Sequence, residues 1–242
     1  MDKNLFLLSS SRSGDSGYLE TALTTVREFL PEDIRELLFI PYAGVSISFD
    51  EYEVMVQQAF APVEIHVTSI HHASDPREAV RKAKAIAVGG GNTFALLRRL
   101  QDADLINLVR ERVQSGVHYI GWSAGSNVAG PTICTTNDMP ITEPVTFKAF
   151  DLFPMQVNPH FISGKPAGHN GESREDRLTE FLALNPEKKL IALPEGTALQ
   201  VRNNQCRVVG ENPALLISRT EEQPFIIQSI DADVDFRLSE FN

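Results

Sequence analysis

Residues 121–125 read Gly-Trp-Ser-Ala-Gly, and Ser123 stands at the end of an apolar run that begins at Val117. A serine set between glycines where a strand gives way to a helix is the sequence form of a nucleophile elbow. The tight turn lifts the hydroxyl out of the sheet, and the glycines relieve the crowding that the turn creates. A serine hydroxyl is a weak nucleophile near neutral pH and needs an imidazole within hydrogen-bond reach. His160 is the candidate base, because it closes a second apolar run within the rigid frame Asn158-Pro159-His160-Phe161. Two acids are candidates to orient that imidazole: Asp138, in the polar loop Thr135-Thr136-Asn137-Asp138, and Glu195, in Leu193-Pro194-Glu195-Gly196. A triad is defined by geometry and not by chain order, so the residues alone leave both open. One can orient the imidazole while the other holds a substrate amine.

A second chemical feature is Gly89-Gly90-Gly91, which follows an apolar run and precedes a helical pattern. Glycines in that position free backbone N–H groups to face an anion, with the helix N-terminus behind them. No Gly-Lys-Ser/Thr follows, and Phe94 breaks the dinucleotide glycine pattern, so a nucleotide loop is the weaker reading. An oxyanion hole built from the N–H groups of Gly90, Gly91 and Ala124 fits an elbow serine better.

Candidate substrate contacts are Arg174, Asn92 and His169. Ser173 reads as the N-cap of a helix whose first turn carries Arg174, a cation placed against the helix dipole. Either Arg174 and the helix N-terminus bind a carboxylate together, or Arg174 pairs on the surface with Glu172, Glu175 or Asp176. Lys165 and His169 make this stretch locally cationic. Of the other histidines, His66 reads as packed in a strand, His71 and His72 as loop neighbours, and His118 as a strand residue ahead of the elbow. None shares a ligand spacing with acidic or thiol residues, so neither a metal nor a cofactor is expected.

Short apolar runs at 5–8, 37–40, 65–68, 85–88 and 118–120 alternate with amphipathic stretches at 18–30, 50–59, 75–84 and 94–113. That rhythm predicts βαβ units, hence an α/β fold with a doubly wound, mainly parallel sheet flanked by helices. Further strands are expected at 132–136, 155–158 and 190–193, helices at 126–129 and 174–184, and C-terminal β-hairpins from residue 197 onward. Ligands of such sheets bind beyond the carboxyl ends of the strands, where the serine, glycine-loop, His160 and Glu195 segments all fall.

The chain has 242 residues and a formal net charge of −10, which argues against a nucleic-acid partner or an anionic membrane surface. The segment after Met1 lacks a signal-peptide core, and no run is long enough for a membrane span, so a cytoplasmic protein of one domain is expected. Cys134 and Cys206 are far apart and suggest no disulfide scaffold; Cys134 reads as a small buried residue.

Taken together, Ile-Pro-Tyr-Ala-Gly at 40–44, Val-Gly-Gly-Gly-Asn-Thr-Phe at 88–94 and Gly-Trp-Ser-Ala-Gly at 121–125 resemble peptidase E, the family of α-aspartyl dipeptidases. Thr-Thr-Asn-Asp-Met-Pro-Ile at 135–141, Asn-Pro-His-Phe at 158–161, Gly-Glu-Ser-Arg-Glu at 171–175 and Leu-Pro-Glu-Gly at 193–196 extend the resemblance over most of the chain. The family is a distant, serine-based relative of class I glutamine amidotransferase-like domains. The resemblance implies Ser123 as nucleophile, His160 as base, Asp138 and Glu195 as the proposed relay acids, and Arg174 on an aspartate carboxylate. It implies hydrolysis of small acidic dipeptides with N-terminal aspartate. Separately, a monomer or homodimer is expected. The alternatives are a cyanophycinase-like or esterase-type hydrolase, and a non-catalytic aspartate-binding module. The tail after Gly210 follows no pattern of the family.

Overall fold

A computed structural model describes residues 3–165, 168 and 170–241. Strand β1 (Asn4–Leu8) lies centrally and pairs in parallel with β5 (His118–Trp122). Outward from β5 follow β4 (Ala85–Val88), β2 (Glu36–Ile40) and β3 (His66–Ser69), all parallel. On the other side of β1 the sheet continues antiparallel through β8 (Thr197–Arg202), β9 (Gln205–Gly210) and β12 (Asp235–Arg237). A second sheet has the order β11 (Ile226–Ile230), β10 (Ala214–Ser218), β7 (Leu190–Pro194) and β6 (Gln156–Phe161). The mixed α/β class and mainly parallel sheet are as the residue pattern predicts. The expected C-terminal hairpins are present as β8–β9 and β10–β11, and they are built into the sheets: β8 extends the main one and β10 the second.

The central strands are apolar throughout because both faces are covered. Leu5 and Leu7 of β1, with Ile86 and Val88 of β4, enter one buried cluster; Phe6, Leu8, Ala85 and Ala87 enter the other. The period of two along each strand therefore feeds two cores. One core is covered by α4 (Thr93–Asp102) and α5 (Ile106–Gln114), through Leu96, Leu97, Leu100, Leu108 and Val113. The other is covered by α1 (Leu23–Phe29) and by α2 (Phe49–Phe60), whose Tyr52, Val56 and Phe60 share one stripe. Helix α3 (Pro76–Lys82) flanks α5, α6 (Ala124–Asn127) follows the elbow, and α7 (Arg174–Leu184) packs on the second sheet through Leu178 and Leu182.

Several expected elements differ. The 94–113 helix is two, because Asp104 adopts φ 52° and closes α4 with bonds from its own N–H to Gln101 O and from Leu105 N–H to Leu100 O. The 18–30 helix shortens to α1 after a 3-10 turn at Glu20–Ala22. Leu19 is left-handed there, and Tyr18 is drawn away to accept from Trp122 Nε1. The strand expected at 132–136 is only an isolated bridge of Thr132 with Lys148, so Cys134 is exposed, not buried. His66 is also exposed, since β3 is the sheet edge. Cys206 is buried, which pushes its thiol up to about 12.

His118 is buried beside Phe29, and burial, with Arg202 nearby, lowers its pKa below the ordinary histidine value. The fold thus favours the neutral imidazole, and the unfolded chain binds the extra proton first. The stabilisation is complete above the unfolded value of about 6.5 and is lost as pH falls through the lower folded value. Urea unfolding at pH 7.5 and 5.5 should show a drop in stability that His118→Gln reduces; an identical drop in the variant would refute the assignment.

Candidate active site

The carboxyl ends of β1, β4 and β5 lie side by side, and each ends in a residue with a chemical use. Ser123 follows β5 with φ 54° and ψ −116°, a strained conformation costing about 1–3 kcal/mol. The motif glycines explain how the chain tolerates it. A Cβ on Gly125 would stand 2.0 Å from Val88 O, and one on Gly121 would stand 2.6 Å from Gly125 O. The helix after the elbow can therefore press against β4 only with glycine at 125, and fold back over β5 only with glycine at 121.

His160 reaches Ser123 from the second sheet. Strands β6 and β7 pair in register until Asn158, slip, and resume at Phe161 opposite Pro194. His160 sits in this bulge with φ 54°, and the irregularity aims its ring at the first sheet. Its Nε2 lies 2.8 Å from Ser123 Oγ, and its Nδ1 lies 2.9 Å from Glu195 Oε1. Glu195 follows β7, so base and acid come from adjacent parallel strands.

Ser9, at the end of β1, locks the two sheets together. Its buried hydroxyl accepts from His160 N–H at 2.9 Å and donates to Leu193 O at 2.8 Å. Nothing in the local sequence singles out Ser9. A hydroxyl there shows its use only when its partners, far along the chain, are known.

Asp138, the other candidate acid, does not reach the imidazole. Its Oδ2 accepts from Thr93 N–H at 2.7 Å, at the start of α4. Asn92 lines the cavity beside Ser123, but its amide is engaged at both ends: Oδ1 accepts from Ala95 N–H and Nδ2 donates to Met139 O. It caps α4 and ties down the Met139 loop instead of presenting a free amide to a ligand. His169 lies outside the described residues.

The triple-glycine bend lies against the nucleophile. A Cβ on Gly90 would come within 2.9 Å of Ser123 Cβ, and Gly91, at φ +134°, has Ala43 O at 2.2 Å from where its Cβ would be. Among the described residues nothing accepts a hydrogen bond from the N–H of Gly90, Gly91 or Ala124. Gly90 O accepts from Tyr52 Oη at 2.9 Å, and Tyr52 in turn meets Tyr18 and Trp122. Sequence reading did not single out this aromatic cluster, which fixes the orientation of the glycine peptide. Gly90→Ala should lower kcat by at least about tenfold, because the nucleophile or the loop must move, and misplaced groups cost up to about 10². Unchanged kcat would show that the bend plays no part in the reaction.

The bend, Ser123, His160, Tyr18, Tyr52 and Ile47 line a cavity of about 500 Å³, a size that suits a small molecule. A cleft of about 530 Å³ at the amino ends of β2 and β4 is lined instead by exposed charges such as Lys82 and Glu36, with no nucleophile–base pair. Arg174 begins α7, with Ser173 capping through a reciprocal box with Asp176. Its possible surface partners are engaged elsewhere: Glu172 with Arg177, Asp176 with Lys165, and Glu175 with Ser163 and Gly164. Arg174 makes no ion pair among the described residues, and its Nη1 is buried without a hydrogen-bond partner. Burial and the charge of Arg177 lower its pKa, while the carboxylates of Asp138 and Glu195 act in the opposite sense.

The expectation of no metal rested on spacing along the chain, and folding overrides that argument at one place. Asp50 and Glu53 of α2 meet His71 and His72, with one ligand atom from each lying within 4.8 Å of the others.

The model of peptidase family S51 matches residues 5–209. The chain belongs to this family. It is 52% identical over 221 residues to a peptidase E of Haemophilus influenzae, covering 91% of this chain and 94% of the relative. It is 53% identical over 217 residues to a peptidase E of Pasteurella multocida, covering 89% and 93%. The solved structure of a peptidase from an acI-B1 Actinobacterium superposes with a TM-score of 0.67 at 20% identity, covering 98% of each chain, which bears on the fold alone. The protein is a peptidase, a hydrolase of family S51. None of its described helices is long and apolar enough to cross a membrane.

Proposed function

We propose that the protein is a serine peptidase that hydrolyses dipeptides with N-terminal aspartate. The observation that carries the serine mechanism is the continuous line from Ser123 Oγ through His160 to Glu195, at 2.8 and 2.9 Å. His160 Nε2 takes the hydroxyl proton as Oγ attacks the peptide carbonyl. The oxyanion develops against the N–H groups of Gly90, Gly91 and Ala124, which have no acceptor among the described residues and so need no reorganisation. Glu195 accepts from Nδ1–H, which keeps Nε2 basic and stabilises the imidazolium. His160 then protonates the departing amine. Water, activated by the same imidazole, releases the aspartyl group from Ser123.

The aspartate preference rests on Arg174, whose buried Nη1 lacks, among the described residues, a partner that a substrate carboxylate would supply. Asp138 commits one oxygen to Thr93 N–H and leaves the other for the substrate's α-ammonium group. The cytoplasm is the compartment this reading favours, and it requires no cofactor.

Initial rates on Asp-Leu, Asn-Leu and Leu-Leu test the reading: Asp-Leu should be strongly preferred. Arg174→Met should lower kcat/KM for Asp-Leu about 30- to 5,000-fold, the equivalent of about 2–5 kcal/mol for unpairing a buried charge. The preference over Asn-Leu should vanish with it. Equal rates on the three dipeptides in the unaltered enzyme would overturn the specificity.

A further inference from the structure

Helix α2 and the turn that follows β3 bring together a set of groups that the proposed reaction does not use. His71 Nε2 lies 3.0 Å from Asp50 Oδ1, His72 Nε2 lies 3.4 Å from the same oxygen, and His72 Nε2 lies 2.8 Å from Glu53 Oε2. We propose that these four side chains form a binding site for a divalent transition-metal ion of the zinc type.

Three observations support the assignment. Tetrahedral bonds of about 2.0–2.1 Å place neighbouring ligand atoms about 3.3–3.4 Å apart; the three separations above lie near that spacing, and the remaining pairs, within 4.8 Å, would draw in around an ion. The donor set is two imidazoles and two carboxylates, which suits zinc and its neighbours better than magnesium or calcium. The third is outer-shell order. Ser69 Oγ lies 2.6 Å from His71 Nδ1, which leaves Nε2 as the ligand nitrogen, and Ser69 N–H donates to Glu53 Oε1 at 2.7 Å, which leaves Oε2. One residue thus holds a histidine and a carboxylate in ligand orientation, as second-shell partners do in metal sites. Glu53 and His71 are well covered, at 18% and 17% side-chain exposure, while Asp50 and His72 are open enough for an ion to enter.

The site also bears on the reaction centre. Asp50 and Glu53 flank Tyr52 in the first turns of α2, and Tyr52 donates to Gly90 O. An ion that clamps this turn to the end of β3 restrains the helix that holds the glycine bend. The metal is therefore a brace, distant from the bond being broken.

The test uses the full-length, untagged protein after treatment with a chelator. Calorimetric titration with Zn²⁺ should show one tight site per chain, Co²⁺ should give the intense visible absorption of a four-coordinate site, and Zn²⁺ should raise Tm. Losing a ligand costs at least as much as losing a second-shell partner, so His72→Ala and Glu53→Gln should each weaken Zn²⁺ about 10- to 100-fold or more. The His71→Ala, His72→Ala double variant should abolish the Co²⁺ absorption. Circular dichroism establishes that each variant is folded; if the double variant is not, the exposed His72→Ala change decides alone. Absence of saturable binding in the unaltered chain, or binding that the variants leave intact, would show an ordinary hydrogen-bonded histidine–carboxylate cluster and overturn the proposal. Neither result depends on which peptides the enzyme cleaves.

Discussion

Replacing Ser123 with alanine is expected to lower kcat on Asp-Leu by about 10⁴- to 10⁶-fold, the range seen when the nucleophile of a working triad is removed. The attacking atom disappears, while the donors of Gly90, Gly91 and Ala124 remain to give a residual rate above that of water. The fold should be unaffected, because the Ser123 side chain bonds only His160 among the described residues. Amine release measured over hours, with circular dichroism as the check on folding, reads this directly. A variant within tenfold of the unaltered rate would remove Ser123 from the chemistry.

The second large effect separates the two acids. Glu195→Gln should reduce kcat by as much as about 10⁴, because an amide in place of the carboxylate favours the wrong tautomer and no longer stabilises the imidazolium. The loss should fall short of that ceiling, since the Glu195 side chain is 55% exposed and water supplies part of the stabilisation. Asp138→Asn should behave differently. Its amide oxygen can still accept from Thr93 N–H, so kcat should hold within a few-fold while KM rises about tenfold through loss of the ammonium contact, a partly exposed charge pair worth about 1 kcal/mol or slightly more. The reverse pattern, with kcat collapsing in Asp138→Asn and surviving in Glu195→Gln, would exchange their roles.

Much of this site is written locally, and the part that is not has a physical reason. Gly121-Trp122-Ser123-Ala124-Gly125 announces its turn because only glycine permits the contacts with Val88 O and across the elbow. The parallel strands are legible because burial on both faces leaves unbroken apolar runs. The choice between Asp138 and Glu195 is not legible, since it depends on β6 and β7 lying side by side and on the slip that aims His160. The same holds for Asp50 and Glu53, one helical turn apart but some 20 residues from His71 and His72. Strand β12, only three residues long and largely polar, carries no alternation to detect. At Asp104 a non-glycine residue in the left-handed region ends α4 without any break in the hydrophobic pattern.

The small hydroxyl at residue 9 makes competence a property of the finished molecule. Nucleophile and base belong to different sheets, and the group that joins them lies 151 residues away along the chain from the imidazole it supports. A partly opened chain therefore carries every reactive group yet cannot align them. On the proposed mechanism, the capacity to cut peptides exists only while the two sheets are docked, so it is gained and surrendered with that contact.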